Sequence, residues 1–386
     1  MIPASRFAER LAGARRLAES AGLDAILVGV GADLRYLAGY AAMPLERLTM
    51  LVIPARGGWS MVVPHLEVGP ARLSPPAAAG DLPINTWEEG DDAYALVAGL
   101  VADAAAAGPN AGRGFRVAVS DDLPARHLLA LQGHLGEARF SLASAVLREL
   151  RMIKDPDEIA LLKLAAQAAD RVVAHIANGR LVGRSEADVA EEVREQLLAE
   201  GHDEASFAIV GSGPNSASPH HEASDRVIQA GEPIVLDIGG TIGGYGSDIT
   251  RTLWVTGGDS RQGPDDRFRH LFAVLHGAQA AARRAVAPGV ACEAVDASAR
   301  QRIDAEGYGE AFFHRTGHGI GLEGHEEPYI IAGNTEPLRE GMAFSVEPGI
   351  YLPGAYGARI EDIVVCGPNG PIELNEAHRE LYVVDG

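Results

Sequence analysis

Ile234-Val235-Leu236-Asp237-Ile238-Gly239-Gly240-Thr241-Ile242-Gly243-Gly244-Tyr245-Gly246-Ser247-Asp248-Ile249-Thr250-Arg251-Thr252-Leu253 is the stretch whose reading decides the fold. Asp237 sits inside an apolar run of strand type, where a carboxylate is costly unless a cation pairs with it. A glycine-rich turn follows, and Asp248 opens the return run 249–253. A hairpin of this kind brings the two aspartates side by side. Adjacent carboxylates repel, and one pKa rises unless positive charge lies between them. The plainer alternative pairs Asp248 with Arg251 and lets Asp237 merely end a strand.

The same theme recurs downstream. Glu347 stands in Phe344-Ser345-Val346-Glu347-Pro348-Gly349-Ile350-Tyr351, and Glu361 follows fourteen residues later in Arg359-Ile360-Glu361-Asp362-Ile363-Val364. The competing reading is an ordinary hairpin with solvated acids. Strand alternation turns Asp362 away from the Glu361 face and marks it as such a solvated residue. Imidazoles come from His314-Arg315-Thr316-Gly317-His318-Gly319-Ile320-Gly321-Leu322-Glu323-Gly324-His325-Glu326, where interleaved glycines let the backbone approach an ion closely. His220-His221, after Pro219, adds a pair in a loop. Asp237, Asp248, Glu347 and Glu361 with His318 form an oxygen-rich set. Such a set favours Mn²⁺, Co²⁺ or Fe²⁺ over a structural zinc site. Two divalent ions neutralise four carboxylates, and that count suits a two-metal hydrolytic centre.

The surrounding chain has 386 residues, which favours two domains, and its 47% hydrophobic content gives each half a core. Its formal net charge of −20 repels nucleic acid and anionic membrane surfaces, so neither is expected as a partner. The two cysteines, Cys292 and Cys366, form no CxxC pair, so neither a thiolate zinc site nor a disulfide framework is indicated. The N-terminal stretch lacks the apolar core of a signal peptide, and no apolar run approaches a membrane span. A soluble cytoplasmic protein is expected.

Residues 1–150 alternate helix signals (6–21, 93–106, 124–133) with strand-like runs (25–30, 50–54, 59–63, 82–87, 115–119), the pattern of an α/β layer. A short alanine run lies at 104–107. The boundary falls near residues 150–154. Asp155-Pro156-Asp157-Glu158 then carries a helix start with a capping box, and Ser185 to Asp188 starts a second helix in the same way. Later helices are expected at 265–286 and 292–306. Strands are expected at 207–210, 234–238, 249–255, 343–351 and 360–365. Helices and strands in blocks predict an α+β domain over 151–386, with helices covering a largely antiparallel, curved sheet.

These motifs, in this order, resemble the pita-bread metallopeptidases: Xaa-Pro dipeptidases (prolidases), Xaa-Pro aminopeptidases and methionine aminopeptidases. The likeness covers roughly residue 150 onward. The first half resembles the creatinase-type N-terminal domain of the proline-specific members. The resemblance implies that Asp237 chelates one ion, Asp248 and Glu361 bridge two, and His318 and Glu347 hold the second. It implies a bridging hydroxide as nucleophile, Glu347 as proton shuttle, His325 stabilising the tetrahedral oxyanion, and His220 lining the substrate pocket. Arg359 becomes a cation behind the carboxylates. Mn²⁺ or Co²⁺ is the expected metal, with Zn²⁺ or Fe²⁺ possible. Proline-containing dipeptides or short peptides are the expected substrates, and a homodimer the expected assembly.

The likeness has gaps. Some proline dipeptidases grip the substrate carboxylate with an arginine after the motif histidine. Here residues 326–341 hold one arginine, Arg339. The N-terminal domain, which overhangs a partner's site in related enzymes, is an alternative source. Arg47 is the candidate clamp there and Asp33 its support; a passive surface ion pair is the competing reading. Gly324 replaces the apolar residue relatives often carry. The expected activity is hydrolysis of Xaa-Pro dipeptides. The nearest rival is an Xaa-Pro aminopeptidase acting on longer peptides. A metal-free, creatinase-like hydrolase or a degenerate binding protein on the same scaffold would have lost acidic ligands, and all five ligand residues are present.

Overall fold

The structure, a computed structural model, describes residues 2–105, 114–136 and 138–385. It divides into two compact units, Met1–Arg151 and Met152–Gly386. No helix among the described residues is long and apolar enough to cross a membrane.

In the first unit the apolar runs become a six-stranded mixed sheet. Its order is Ile84–Trp87, Ser60–Pro64, Met50–Pro54, Ala25–Val28, Arg116–Val119, Arg139–Leu142. Strand Met50–Pro54 pairs antiparallel with both neighbours, and the remaining pairings are parallel. The core combines Leu27, Val52, Val62 and Val117 of the sheet with Val97, Val101 and Leu131 from helices Ala93–Ala105 and Ala125–Leu135. Ala106 and Ala107, the end of the alanine run, lie outside the described residues.

The second unit is α+β. Helix Pro156–Ala177 begins with the capping box anticipated from Asp155 and Glu158, and Glu186–Ala199 with that of Ser185 and Asp188. Both pack on an antiparallel ladder whose central strand, Glu232–Ile242, lies between Glu204–Ser212 and Ile249–Val255. Tyr382–Val384 joins the far edge in parallel. Helices Asp266–Ala285 and Cys292–Ala305 share a core with a second five-stranded sheet. Its order is Glu326–Ile330, Gly317–Gly319, Ala343–Val346, Asp362–Gly367, Gly370–Glu373, with every pairing antiparallel. Hairpin Gly349–Leu352/Tyr356–Arg359 stands as a separate two-stranded sheet.

Three expectations change. The run 343–351 is two strands, because the ladder breaks at Glu347-Pro348: proline brings no N–H, and the Glu347 amide donates to Thr316 O instead. The run 360–365 starts its strand at Asp362, since Glu361 forms an isolated bridge with Thr250, a residue of the first sheet. Asp362 is fully buried rather than solvated. Burial would raise its pKa, but Arg251 and Arg379 outweigh that and lower it. Arg251 therefore belongs to Asp362 (2.7 Å) and not to Asp248. Its guanidinium also donates to the carbonyls of Thr250, Glu361, Ala377 and His378. Arg251→Met takes one of two arginines from the buried Asp362 carboxylate, leaving Arg379 and Gln279 on it, and removes a donor from four carbonyls. We expect it to cost about 2–3 kcal/mol, read as a lower urea midpoint at unchanged m-value.

Candidate metal centre

The hairpin predicted from the opening stretch forms. Ile238 faces Ile249 and Asp237 faces Thr250, and Gly243 and Gly244 turn the chain with positive φ. Asp248 precedes the return strand and so lies diagonal to Asp237. The bridge between Thr250 and Glu361 carries Glu361 to the same place, and Thr250 Oγ1 donates to Glu361 Oε2 at 2.7 Å. His318 enters on the short strand Gly317–Gly319. A Cβ at Gly317 would collide with Ser345 O, and one at Gly319 with Glu327 O. The imidazole strand is thus held between two neighbouring main chains that leave no room for side chains beside it.

One ligand atom each from Asp248, His318 and Glu361 lies within 4.8 Å of the other two. His318 Nε2 is 3.3 Å from Glu347 Oε1 and 3.7 Å from Asp248 Oδ2. Ser345 Oγ donates to Glu347 Oε1 at 3.2 Å. Asp237 lies near enough for its charge to raise the pKa of Asp248, Glu347 and Glu361. Its Oδ2 accepts from Arg359 at 2.5 Å, while its buried Oδ1 has no hydrogen-bond partner.

The electrostatics state what is needed. Burial, then the charges of Asp237 and Glu347, push Asp248 well above the usual carboxylate range. Burial, then Asp248, Glu347 and Asp237, do the same to Glu361. Glu347 rises to about 7, chiefly through burial and, among the charges that raise it, Asp237. Burial and His325 hold His318 neutral, with a pKa of about 3. A neutral imidazole, an orphaned carboxylate oxygen and three carboxylates that resist ionising together fit divalent cations, which reverse this repulsion.

Residues 160–368 match metallopeptidase family M24, and residues 10–153 match the creatinase/prolidase N-terminal domain. The chain belongs to metallopeptidase family M24. The M24 chain is 47% identical over 379 residues to a probable dipeptidase PepE of Mycobacterium tuberculosis, covering 98% of this chain and 96% of the other. It is 31% identical over 360 residues to an Xaa-Pro dipeptidase of Pyrococcus horikoshii, covering 93% and 94%. Its structure superposes on that of dipeptidase PepE from Mycobacterium ulcerans with a TM-score of 0.90, at 46% identity and 99% coverage of both chains. The second unit is accordingly the pita-bread domain and the first the creatinase-like one.

Around the M24 centre, the His325 ring lies 3.9 Å from that of His318, centroid to centroid. Arg315 donates to His325 Nδ1 at 3.1 Å and stacks over Tyr329. Behind that loop Lys154 and Glu326 form a buried ion pair at 2.5 Å. Arg359 joins several parts: besides Asp237 it donates to Thr250 Oγ1, to the Tyr351 hydroxyl and to Pro219 O beside His220. Lys154 carries no local signal in the sequence, because its partner is 172 residues away. Arg315 lies in the His314–Glu326 run, but nothing in that run marks its bond to His325. Arg339 pairs with Glu336 at 3.4 Å, and Gly324 is exposed with open space around a would-be Cβ. In the first unit, Arg47 is held by Glu89 and Glu46, and Asp33 pairs with Arg151 at 2.9 Å.

Asp248→Asn removes one of the repelling charges and one candidate ligand. It should raise the melting temperature of chelator-treated protein, and any rise that added Mn²⁺ brings to the unmodified chain should be lost in the variant. Calorimetry with and without chelator reads both effects.

Proposed function

We propose that this chain hydrolyses the Xaa-Pro bond of dipeptides in the cytoplasm, using two divalent cations. Mn²⁺ or Co²⁺ is favoured over Zn²⁺ or Fe²⁺ by the carboxylate-rich donor set. The observation that carries the reading is the convergence of Asp248, His318 and Glu361, with Glu347 3.3 Å from His318, in an M24 chain. The dipeptidase names of its relatives support the substrate class.

Asp237, Asp248, His318, Glu347 and Glu361 hold the ions. When bound, the ions lower the pKa of a water enough for it to attack at neutral pH. Glu347 accepts the proton of the attacking water and delivers it to the proline nitrogen, a poor leaving group until protonated. His325 stabilises the tetrahedral oxyanion. Arg315 supports that role, since a guanidinium can only donate: Nδ1 must accept, which places the proton of the neutral ring on Nε2. Burial, Arg315 and His220 all lower the His325 pKa and favour that neutral form. His220, exposed on its loop, lines the substrate pocket. Arg359 keeps Asp237 oriented. Arg47 is the proposed grip on the dipeptide's carboxylate, presented within a homodimer; its support comes from Glu89 and Glu46, because Asp33, the support expected from the sequence, is engaged by Arg151.

A second reading has one observation in its favour. Arg339, the lone arginine of residues 326–341, is already engaged by Glu336. Without a carboxylate grip the enzyme would be an Xaa-Pro aminopeptidase acting on longer peptides.

The test is metal-free protein supplied in turn with Mn²⁺, Co²⁺ and Zn²⁺ and assayed on a dipeptide and a tripeptide, each with proline second. We expect dipeptide hydrolysis with Mn²⁺ or Co²⁺, abolished by chelation. Faster cleavage of the tripeptide would establish the aminopeptidase, and no cleavage with any ion would end both readings. His325→Ala should lower kcat about 10²–10³-fold with little change in KM, as for loss of one oxyanion donor. Arg47→Ala should raise KM for the dipeptide and leave the tripeptide unaffected.

A further inference from the structure

Glu186 is the first residue of helix Glu186–Ala199, and its side chain has no exposure to solvent. It is not needed to cap that helix. Ser185 Oγ accepts the Asp188 amide, and Asp188 returns the bond to the Ser185 amide. The Glu186 carboxylate turns instead to the segment 212–224. It accepts from the Ser212 amide and hydroxyl, both at 2.7 Å, and from Asn215 Nδ2 through both oxygens, at 3.0 and 3.1 Å. His221 Nε2 donates at 2.8 Å, and Ser224 donates through its hydroxyl at 2.6 Å and its amide at 3.2 Å. Both ends and the middle of the loop therefore meet at one carboxylate. Burial alone would raise its pKa; the bonds from Ser224, His221 and Ser212 outweigh that and hold it at about 2. The anion persists across the working pH range, and bonds to an anion are the stronger kind.

The opposite side of the loop is fastened to the hairpin Gly349–Leu352/Tyr356–Arg359. Ser216 Oγ accepts the Gly357 amide at 2.8 Å, and a Cβ on Gly357 would strike Ser216 O. Arg359, which also holds Asp237, donates to Pro219 O at 3.3 Å. His220 stands between Pro219 and His221, each tied to a different anchor. Its own ring is exposed, with no hydrogen bond among the described residues, and it lies near enough to His314 and His325 to be among the causes that lower their pKa.

We propose that Glu186 is a positioning residue for His220, fixing from behind the loop that presents this imidazole to the substrate. This rests on the reading of His220 as a pocket residue. The arrangement separates support from contact: the buried anion never reaches substrate, and the exposed ring carries no structural bond.

A double-mutant cycle of Glu186→Gln and His220→Ala tests it, with kcat and KM for an Xaa-Pro dipeptide on the Mn²⁺-loaded enzyme and amide hydrogen exchange over 212–224. Glutamine keeps the size but turns a donor toward donors. We expect Glu186→Gln alone to lower kcat/KM roughly tenfold, mostly through KM, and to speed exchange in 212–224. In the His220→Ala background the same change should have an effect of about twofold or less, because the two act through one group. An undiminished effect in that background, or unchanged exchange, overturns the proposal. Should Glu186→Gln fail to fold, His221→Phe and Ser224→Ala each remove part of the network and enter the same cycle. An unmodified chain that cleaves no Xaa-Pro bond, while Glu186→Gln still speeds exchange, overturns the functional reading and leaves the anchoring standing.

Discussion

Mutual repulsion among buried carboxylates is the constraint on which the second unit is built. Asp248, Glu347 and Glu361 are buried within reach of one another's charge and of Asp237, and all three are pushed well above their ordinary pKa. Nothing intrinsic to four anions draws them together. Two ladders, a hairpin and a lone bridge at Thr250–Glu361 impose the convergence. Each of these side chains, the proposed ligands among them, comes from a backbone that cannot relax away: Asp237 from a strand paired on both sides, His318 from a strand flanked by glycines, Glu347 and Glu361 from points where a ladder breaks. The folding energy of the helices and sheets is spent in part on holding like charges near one another, and binding of cations returns it.

Arginine manages what remains. Arg359 and Arg251 sit on the two sides of the Thr250–Glu361 bridge. Arg359 faces the centre, on Asp237 and Thr250, and Arg251 faces away, on Asp362 and the main chain of 377–378. Neighbouring acids Glu361 and Asp362 are thereby given opposite fates. Asp362, between Arg251 and Arg379, is held low; Glu361, next to three other acids, is driven up.

The sequence made legible what depends on neighbours in the chain. Capping boxes at Asp155 and Ser185, the Asp237–Asp248 hairpin and the glycine-framed His318 all follow from local pattern, and the resemblance ordered them into one site. What stayed hidden depends on distant partners or on backbone irregularity. Asp362 looked solvated because alternation tells which way a side chain points, not what waits there; Arg251 is 111 residues away. The run 343–351 read as one strand because its apolar content continues across Glu347-Pro348, where the hydrogen-bond ladder does not. Glu186 has no local signal beyond its place in a helix's first turn, and its partners lie 26 to 38 residues further on.

The close walls around Gly317 and Gly319 have a consequence for how this centre can drift over time. His318 is set by the thickness of neighbouring peptide planes and not by how side chains fill a cavity. Repacking of the apolar layers beneath, methyl for methyl, leaves the imidazole where it is. A single added carbon at either glycine displaces a whole strand, and the ring moves with it. The site is therefore tolerant of change in its foundations and intolerant of change in its immediate frame, the reverse of what an aliphatic core would show.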